Sequence, residues 1–172
     1  MPSTPANVAA AVARIRAVLG PGGCLEDAAD VAPYLVDFRG LYRGATPLVA
    51  CPASTADVAQ VLAICNEHRV GVVPHGGNTS YCGGATPHES GEEIVLSLRR
   101  MNRVREVDAA NFSMTVEAGC LLAEVHAAAE AADRYFPLAL GSEGSCQIGG
   151  NLSTNAGGLN ALHYGVARDL AL

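Results

Sequence analysis

Gly141-Ser142-Glu143-Gly144-Ser145-Cys146-Gln147-Ile148-Gly149-Gly150-Asn151-Leu152-Ser153-Thr154-Asn155-Ala156-Gly157-Gly158 is the stretch that decides the fold. A second run of the same character, Pro74-His75-Gly76-Gly77-Asn78-Thr79-Ser80-Tyr81-Cys82-Gly83-Gly84-Ala85, precedes it, and together they hold ten of the chain's 19 glycines. Residues without a Cβ let backbone N–H groups approach an anion closely, and hydroxyl and amide side chains add neutral hydrogen bonds around it. Two such loops imply one large phosphate-bearing ligand. A Walker loop would end in Gly-Lys-Ser/Thr, and neither stretch contains lysine. A Rossmann fingerprint would space its glycines as G-x-G-x-x-G after a strand, and neither stretch does. What remains is a pyrophosphate cradle of backbone amides and neutral side chains, as a dinucleotide cofactor requires.

Outward from these loops the chain reads as mixed helix and strand. Val8, Val12, Ile15 and Leu19 recur at helical spacing until Gly20-Pro21-Gly22-Gly23 stops them. Residues 24–46 show no sustained period and read as a loop packed on the surface. Leu48-Val49-Ala50-Cys51 is a short apolar strand ended by Pro52. Ser54 is a natural helix N-cap, and Val58, Val61, Leu62 and Cys65 form one stripe behind it. Gly71-Val72-Val73 leads as a buried strand into the first glycine loop, Ile94-Val95-Leu96 follows it, and Phe112, Met114 and Val116 alternate with polar residues. Leu122, Val125 and Ala129 place a helix running to about Ala132, which Phe136-Pro137 ends. No internal repeat or linker stands out, so the residues favour one compact unit.

Composition narrows the partners. With 172 residues, 49% hydrophobic and 16% charged, the chain can bury a substantial core, built from aliphatic residues because aromatics are 5% and Trp is absent. A net charge of -6 and no basic cluster larger than Arg99-Arg100 with Arg103 and Arg105 argue against nucleic acid. The six cysteines show neither C-x-x-C nor zinc spacing and read as small buried hydrophobes, with no metal site. No signal peptide or membrane-length apolar run is apparent, so a cytoplasmic location is expected.

Val72-Val73-Pro74-His75-Gly76-Gly77-Asn78-Thr79-Ser80 with Gly83-Gly84 resembles the first FAD-binding loop of flavoproteins of the vanillyl-alcohol-oxidase or PCMH type. Phe136-Pro137-Leu138, Gly141 to Ser145, Ile148 to Asn151, Thr154 to Gly158 and Tyr164-Gly165 are similar to the second loop of FAD-linked D-2-hydroxyacid dehydrogenases, notably those acting on 2-hydroxyglutarate and lactate. Asp37-Phe38-Arg39-Gly40, Pro52-Ala53-Ser54-Thr55, Met101-Asn102-Arg103-Val104 and Val116-Glu117-Ala118-Gly119-Cys120 extend the likeness over residues 30–172.

The resemblance implies an α+β FAD-binding domain of two subdomains, the N-terminal part of a longer one. It assigns cofactor contacts to Pro74, Gly76, Gly77, Asn78, Thr79, Ser80, Gly83 and Gly84 in the first loop. In the second it assigns them to Ser142, Gly144, Ser145, Gly149, Gly150, Asn151, Thr154 and Asn155. Asn78 stands where some relatives attach flavin through histidine, so the FAD is expected to be non-covalent; His75 reads as structural, and Cys82 and Cys146 as packing residues. His163 and Val166 depart from the arginine and asparagine common there. The implied reaction is hydride transfer from a D-2-hydroxyacid to FAD, with electrons passing to a separate acceptor. Residues that choose the substrate belong to parts of the family not present here, so no catalytic residue is assigned and this chain alone is expected to be inactive. It would be a fragment of such an enzyme, a cofactor subunit completed by another polypeptide, or a vestigial domain, and uncovered strands would favour self-association.

Overall fold

A computed structural model describes residues 4–172. Contacts divide the chain into two compact units, one ending at Arg100 and one from Met101 to Leu172, where composition had suggested one. The boundary is silent in sequence because Leu98-Arg99-Arg100-Met101 carries no glycine or proline to mark it.

In the first unit, helix α1 (Pro5–Leu19) starts under a Thr4 N-cap with proline in its first turn, and Gly20 closes it at φ 63°. A four-stranded sheet follows, formed by β1 (Cys24–Leu25), β2 (Val49–Ala50), β3 (Gly71–His75) and β4 (Glu93–Ser97) in the order β1-β2-β4-β3. β2 and β3 both run parallel to β4, while β1 pairs antiparallel with β2. Helix α3 (Thr55–His68) joins β2 to β3, which flank β4 on its two sides, and residues 76–92 connect the parallel neighbours β3 and β4. Its N-cap is Ser54, whose hydroxyl accepts the Asp57 N–H at 3.1 Å.

Alternation along the strands sends side chains to two faces. Leu48, Ala50, Ile94 and Leu96 pack with Val12 and Ile15 of α1 and Val61 and Ile64 of α3. Val49, Cys51, Val73 and Val95 pack with Val31 and Tyr34 on the other face. β4 is thus covered on both sides, which is why it reads as an unbroken apolar run. The second face corrects the surface-loop reading of residues 24–46. That stretch contains β1, helix α2 (Ala28–Val31) and a 3₁₀ turn over Ala32–Tyr34, elements too short to show a period. Pro74 sits on edge strand β3, where its missing N–H breaks no ladder.

In the second unit, β5 (Val104–Asp108) and β6 (Ser113–Val116) form an antiparallel hairpin. Helix α4 (Leu122–Ala131) buries Leu122, Val125 and Ala129 against Cys120, Leu138, Cys146, Ile148 and Ala167. Helices α5 (Ile148–Thr154) and α6 (Ala161–Tyr164) and a 3₁₀ turn over Ala167–Leu170 complete it. α5 lies inside what the sequence reading took as a glycine loop, because its Gly149-Gly150 pair masks a helical turn.

Replacing Ile94, fully buried between α1 and α3, by alanine should lower stability by about 2–5 kcal/mol in urea unfolding, whereas Ser54→Ala should cost only about 1 kcal/mol.

Candidate functional site

The first loop leaves the end of β3, at the C-terminal edge of a parallel strand, where α/β sheets commonly place ligands. Among the described residues, the amides of Gly76, Gly77, Asn78, Thr79 and Ser80 donate no hydrogen bond. At half-buried and exposed positions these amides are open to solvent or to the oxygens of a ligand. Asn78 bends the run at φ 52°, a left-handed geometry that asparagine tolerates.

Other groups hold the loop in place. The His75 ring donates from Nδ1 to the Ala85 carbonyl at 3.0 Å, joining the loop's entry to its exit, and lies 4.6 Å from the Tyr34 ring. Burial pushes the imidazole below its ordinary value, so the ring is neutral at pH 7 and its role is structural. The Asn78 amide donates to the Val36 carbonyl at 2.8 Å. Val36 belongs to a turn organised by buried Asp37, which accepts the Tyr42 N–H at 2.6 Å and the Arg39 N–H at 3.0 Å. The Tyr42 amide, then that of Arg39, keeps this carboxyl below the usual range. Tyr42 in turn lies under Gly83, where φ is 69° and a Cβ would stand 2.5 Å from the ring. Thr79 is partly covered; Ser80 and Gly84 are exposed. Beyond them the Thr86 hydroxyl is buried with no partner among the described residues.

The second stretch is a turn followed by a helix. Residues 142–146 make a tight turn in which the Ser145 and Cys146 amides reach the Ser142 carbonyl. Their carbonyls cap α4, since Leu122 N–H donates to Cys146 and Ala123 N–H to Glu143 at 3.1 and 3.0 Å. His126, donating to the Leu138 carbonyl at 2.8 Å, lies 3.5 Å from the Glu143 carboxylate. Ile148 and Gly149 at the start of α5 donate to the Cys120 and Ala118 carbonyls at 3.0 and 2.8 Å, while Gly144 and Gly150 keep free amides among the described residues. A Cβ on Gly149 would stand 2.9 Å from that of Ala118, so the approach depends on glycine.

Several side chains assigned to the cofactor bond the protein itself. Asn151 is buried with its amide 3.6 Å from the Cys146 sulfur, and the Thr154 hydroxyl donates to the Gly150 carbonyl at 2.9 Å. Asn155, at φ 53°, accepts the Arg168 N–H at 3.0 Å, and the Arg168 guanidinium caps the Leu152 and Ser153 carbonyls at 2.9 and 2.7 Å. Ser142, Gly144 and Ser145 remain at the surface of the turn, Ser142 partly covered.

Sequence reasoning quoted Glu117 without a role. Its buried carboxylate accepts from Arg103 N–H at 3.0 Å, from Arg103 Nη2 at 2.9 Å and from Arg105 Nη2 at 3.1 Å. The Arg103 side chain and then its backbone amide hold the carboxyl at about 2. Burial pushes the Cys24 and Cys65 thiols up to about 11, which suits packing rather than nucleophilic chemistry. Among the described residues no three His, Cys, Asp or Glu side chains converge as a metal site, and no helix is long and apolar enough to cross a membrane.

The family described as FAD binding domain matches residues 46–172, and the chain belongs to it. It is 41% identical over 154 residues to a probable mitochondrial D-2-hydroxyglutarate dehydrogenase of Oryza sativa subsp. indica, covering 90% of this chain and 27% of that protein. It is also 41% identical over 157 residues to mitochondrial D-2-hydroxyglutarate dehydrogenase of Danio rerio, covering 91% and 29%. Glycolate oxidase subunit GlcD of Bacillus subtilis is 36% identical over 155 residues, covering 90% and 33%. The chain therefore spans about a third or less of these curated relatives. Among solved structures, alkyldihydroxyacetonephosphate synthase superposes with TM-score 0.84 at 20% identity, covering 98% of this chain and 32% of that one, and shares the fold.

Because native Glu117 releases its proton near pH 2 rather than 4.5, the folded state binds that proton less tightly than the unfolded chain. Its stabilisation is complete above pH 4.5 and disappears as pH falls toward 2. Thermal melts of wild type and Glu117→Gln should differ most above pH 4.5 and converge toward pH 2.

Proposed function

We propose that this chain is the cofactor-holding portion of a flavin-dependent oxidoreductase acting on D-2-hydroxyacids of the 2-hydroxyglutarate or lactate type. The observation that carries the cofactor assignment is the row of free amides from Gly76 to Ser80, followed by the hydroxyls and glycines of the same loop. These neutral donors fit a pyrophosphate that brings its own charge and needs hydrogen bonds rather than a lysine. The substrate class is supported by the relatives named for D-2-hydroxyglutarate dehydrogenase, and those proteins are about three times longer.

The chain's own residues bind and orient. The amides of Gly76 to Ser80 are left without a protein acceptor, the His75 and Asn78 bonds hold their loop, and in the second unit Gly144, Gly150 and the serines of the 142–145 turn offer neutral donors. When bound, FAD supplies the acceptor for the hydride leaving the α-carbon of the hydroxyacid. Asn78 lacks a nucleophilic ring nitrogen and His75 is engaged in the core, which supports a dissociable flavin. A separate electron acceptor and a complementing polypeptide belong to the same proposal. Six free thiols, four of them buried, suit a reducing compartment such as the cytoplasm, although several relatives are named as mitochondrial.

Titrating the purified chain with FAD should quench flavin fluorescence saturably and raise the melting temperature; no binding at saturating FAD would sink the assignment and favour a vestigial domain. Gly149→Ala should weaken binding at least tenfold, because its methyl would collide with Ala118. With FAD added, the chain alone should reduce no dye when given D-2-hydroxyglutarate or D-lactate, and measurable turnover would show that no further domain is needed.

A further inference from the structure

Glu117 is the one buried carboxylate of the second unit, and the reading above gives it no contact with cofactor or substrate. Its position in the backbone is unusual. Both ends of the residue are fixed to Arg103, since Glu117 N–H donates to the Arg103 carbonyl at 2.9 Å and its carboxylate accepts the Arg103 N–H at 3.0 Å. Arg105 adds Nε and Nη2 donors at 3.2 and 3.1 Å on the oxygen that Arg103 Nη2 also reaches. The turn that follows is closed by Cys120 N–H on the Glu117 carbonyl at 3.0 Å and by Gly119 N–H on the Met101 carbonyl at 2.8 Å. The two carbonyls this turn presents, Ala118 and Cys120, are those that receive Gly149 and Ile148 at the start of α5.

From this chain of bonds we infer that Glu117 is a positioning residue for FAD: clamped by Arg103 and Arg105, it sets the 118–120 turn whose carbonyls hold the Ile148 and Gly149 amides, and so seats the second glycine stretch. The inference rests on the FAD reading of the site. A buried carboxylate can hold a turn more rigidly than an amide because ionic hydrogen bonds are shorter and stronger than neutral ones. Glutamine keeps the size of the side chain but turns one acceptor into a donor facing guanidinium N–H groups, which loosens the clamp without opening a cavity. The Arg103 side chain is largely exposed and that of Arg105 about half exposed, so truncating either removes no core packing.

The test uses the full 172-residue chain. FAD dissociation constants are measured well below the melting temperature for wild type, Glu117→Gln, Arg105→Ala and, as a control, Arg14→Ala, which removes an exposed ion pair with Glu67 in the first unit. Hydrogen exchange of the Ile148 and Gly149 amides is followed in the FAD-free proteins. The expected result is at least tenfold weaker FAD binding in Glu117→Gln, about threefold in Arg105→Ala and none in Arg14→Ala, with faster exchange at Ile148 and Gly149 while Val73 and Val95 keep their protection. Unchanged affinity in both clamp variants, with wild type binding normally, overturns the inference and leaves the cofactor reading standing. A melting-temperature drop alone, with affinity and exchange unchanged, also overturns it, because a merely structural role would do that. Should Glu117→Gln not fold, Arg105→Ala decides by the same two readouts. Wild type that binds no FAD overturns both.

Discussion

The backbone N–H groups from Gly76 to Ser80 have no acceptor among the described residues, and bonds at either side of the loop hold it in that form. Unpaired amides are unstable unless water or a ligand satisfies them, and a chain free to move would turn them inward. Here the turning is blocked from the sides. The His75–Ala85 bond closes the loop's neck, Asn78 is tied to Val36, and Gly83 rests on Tyr42. Each anchor uses a side chain or a flanking carbonyl, so the donors themselves stay available. The second unit solves the same problem by another route: its turn over 142–146 gives its carbonyls to the start of α4, and α5 takes two carbonyls from the 118–120 turn.

This division of labour explains why the asparagines do not behave as a motif reading suggests. Asn78, Asn151 and Asn155 were assigned to the cofactor, yet each side chain donates or accepts within the protein. Two of them, Asn78 and Asn155, occupy left-handed backbone positions at φ 52° and 53°. Asparagine suits that combination, since it tolerates the conformation and fastens the bend with its amide. The residue type that marks a ligand loop in sequence is thus partly the residue type that builds it.

What was legible followed from period and punctuation. α1 and α3 are long enough to repeat their apolar stripe, and Ser54 announced its helix as an N-cap. β4 was visible as a bare apolar run because both faces are covered. Elements of two to four residues, such as β1 and α2, carry no period at all, and α5 was hidden by Gly149-Gly150, whose absence of side chains is what lets the helix approach Ala118. The least legible part of the site is the support of α5, because Glu117 is thirty-odd residues away in sequence and its partners lie on an adjacent strand.

The same bonds decide how a change in a loop side chain acts. Mutations of loop side chains act through the bends they hold, and bends held by one hydrogen bond give way before those held by several. The Asn78 side chain makes one bond, to Val36, whereas Glu117 is held by two arginines through side chain and backbone together. Each loop is therefore set by its own unit, the first through side chains that bond flanking carbonyls and the second through backbone carbonyls that receive its amides.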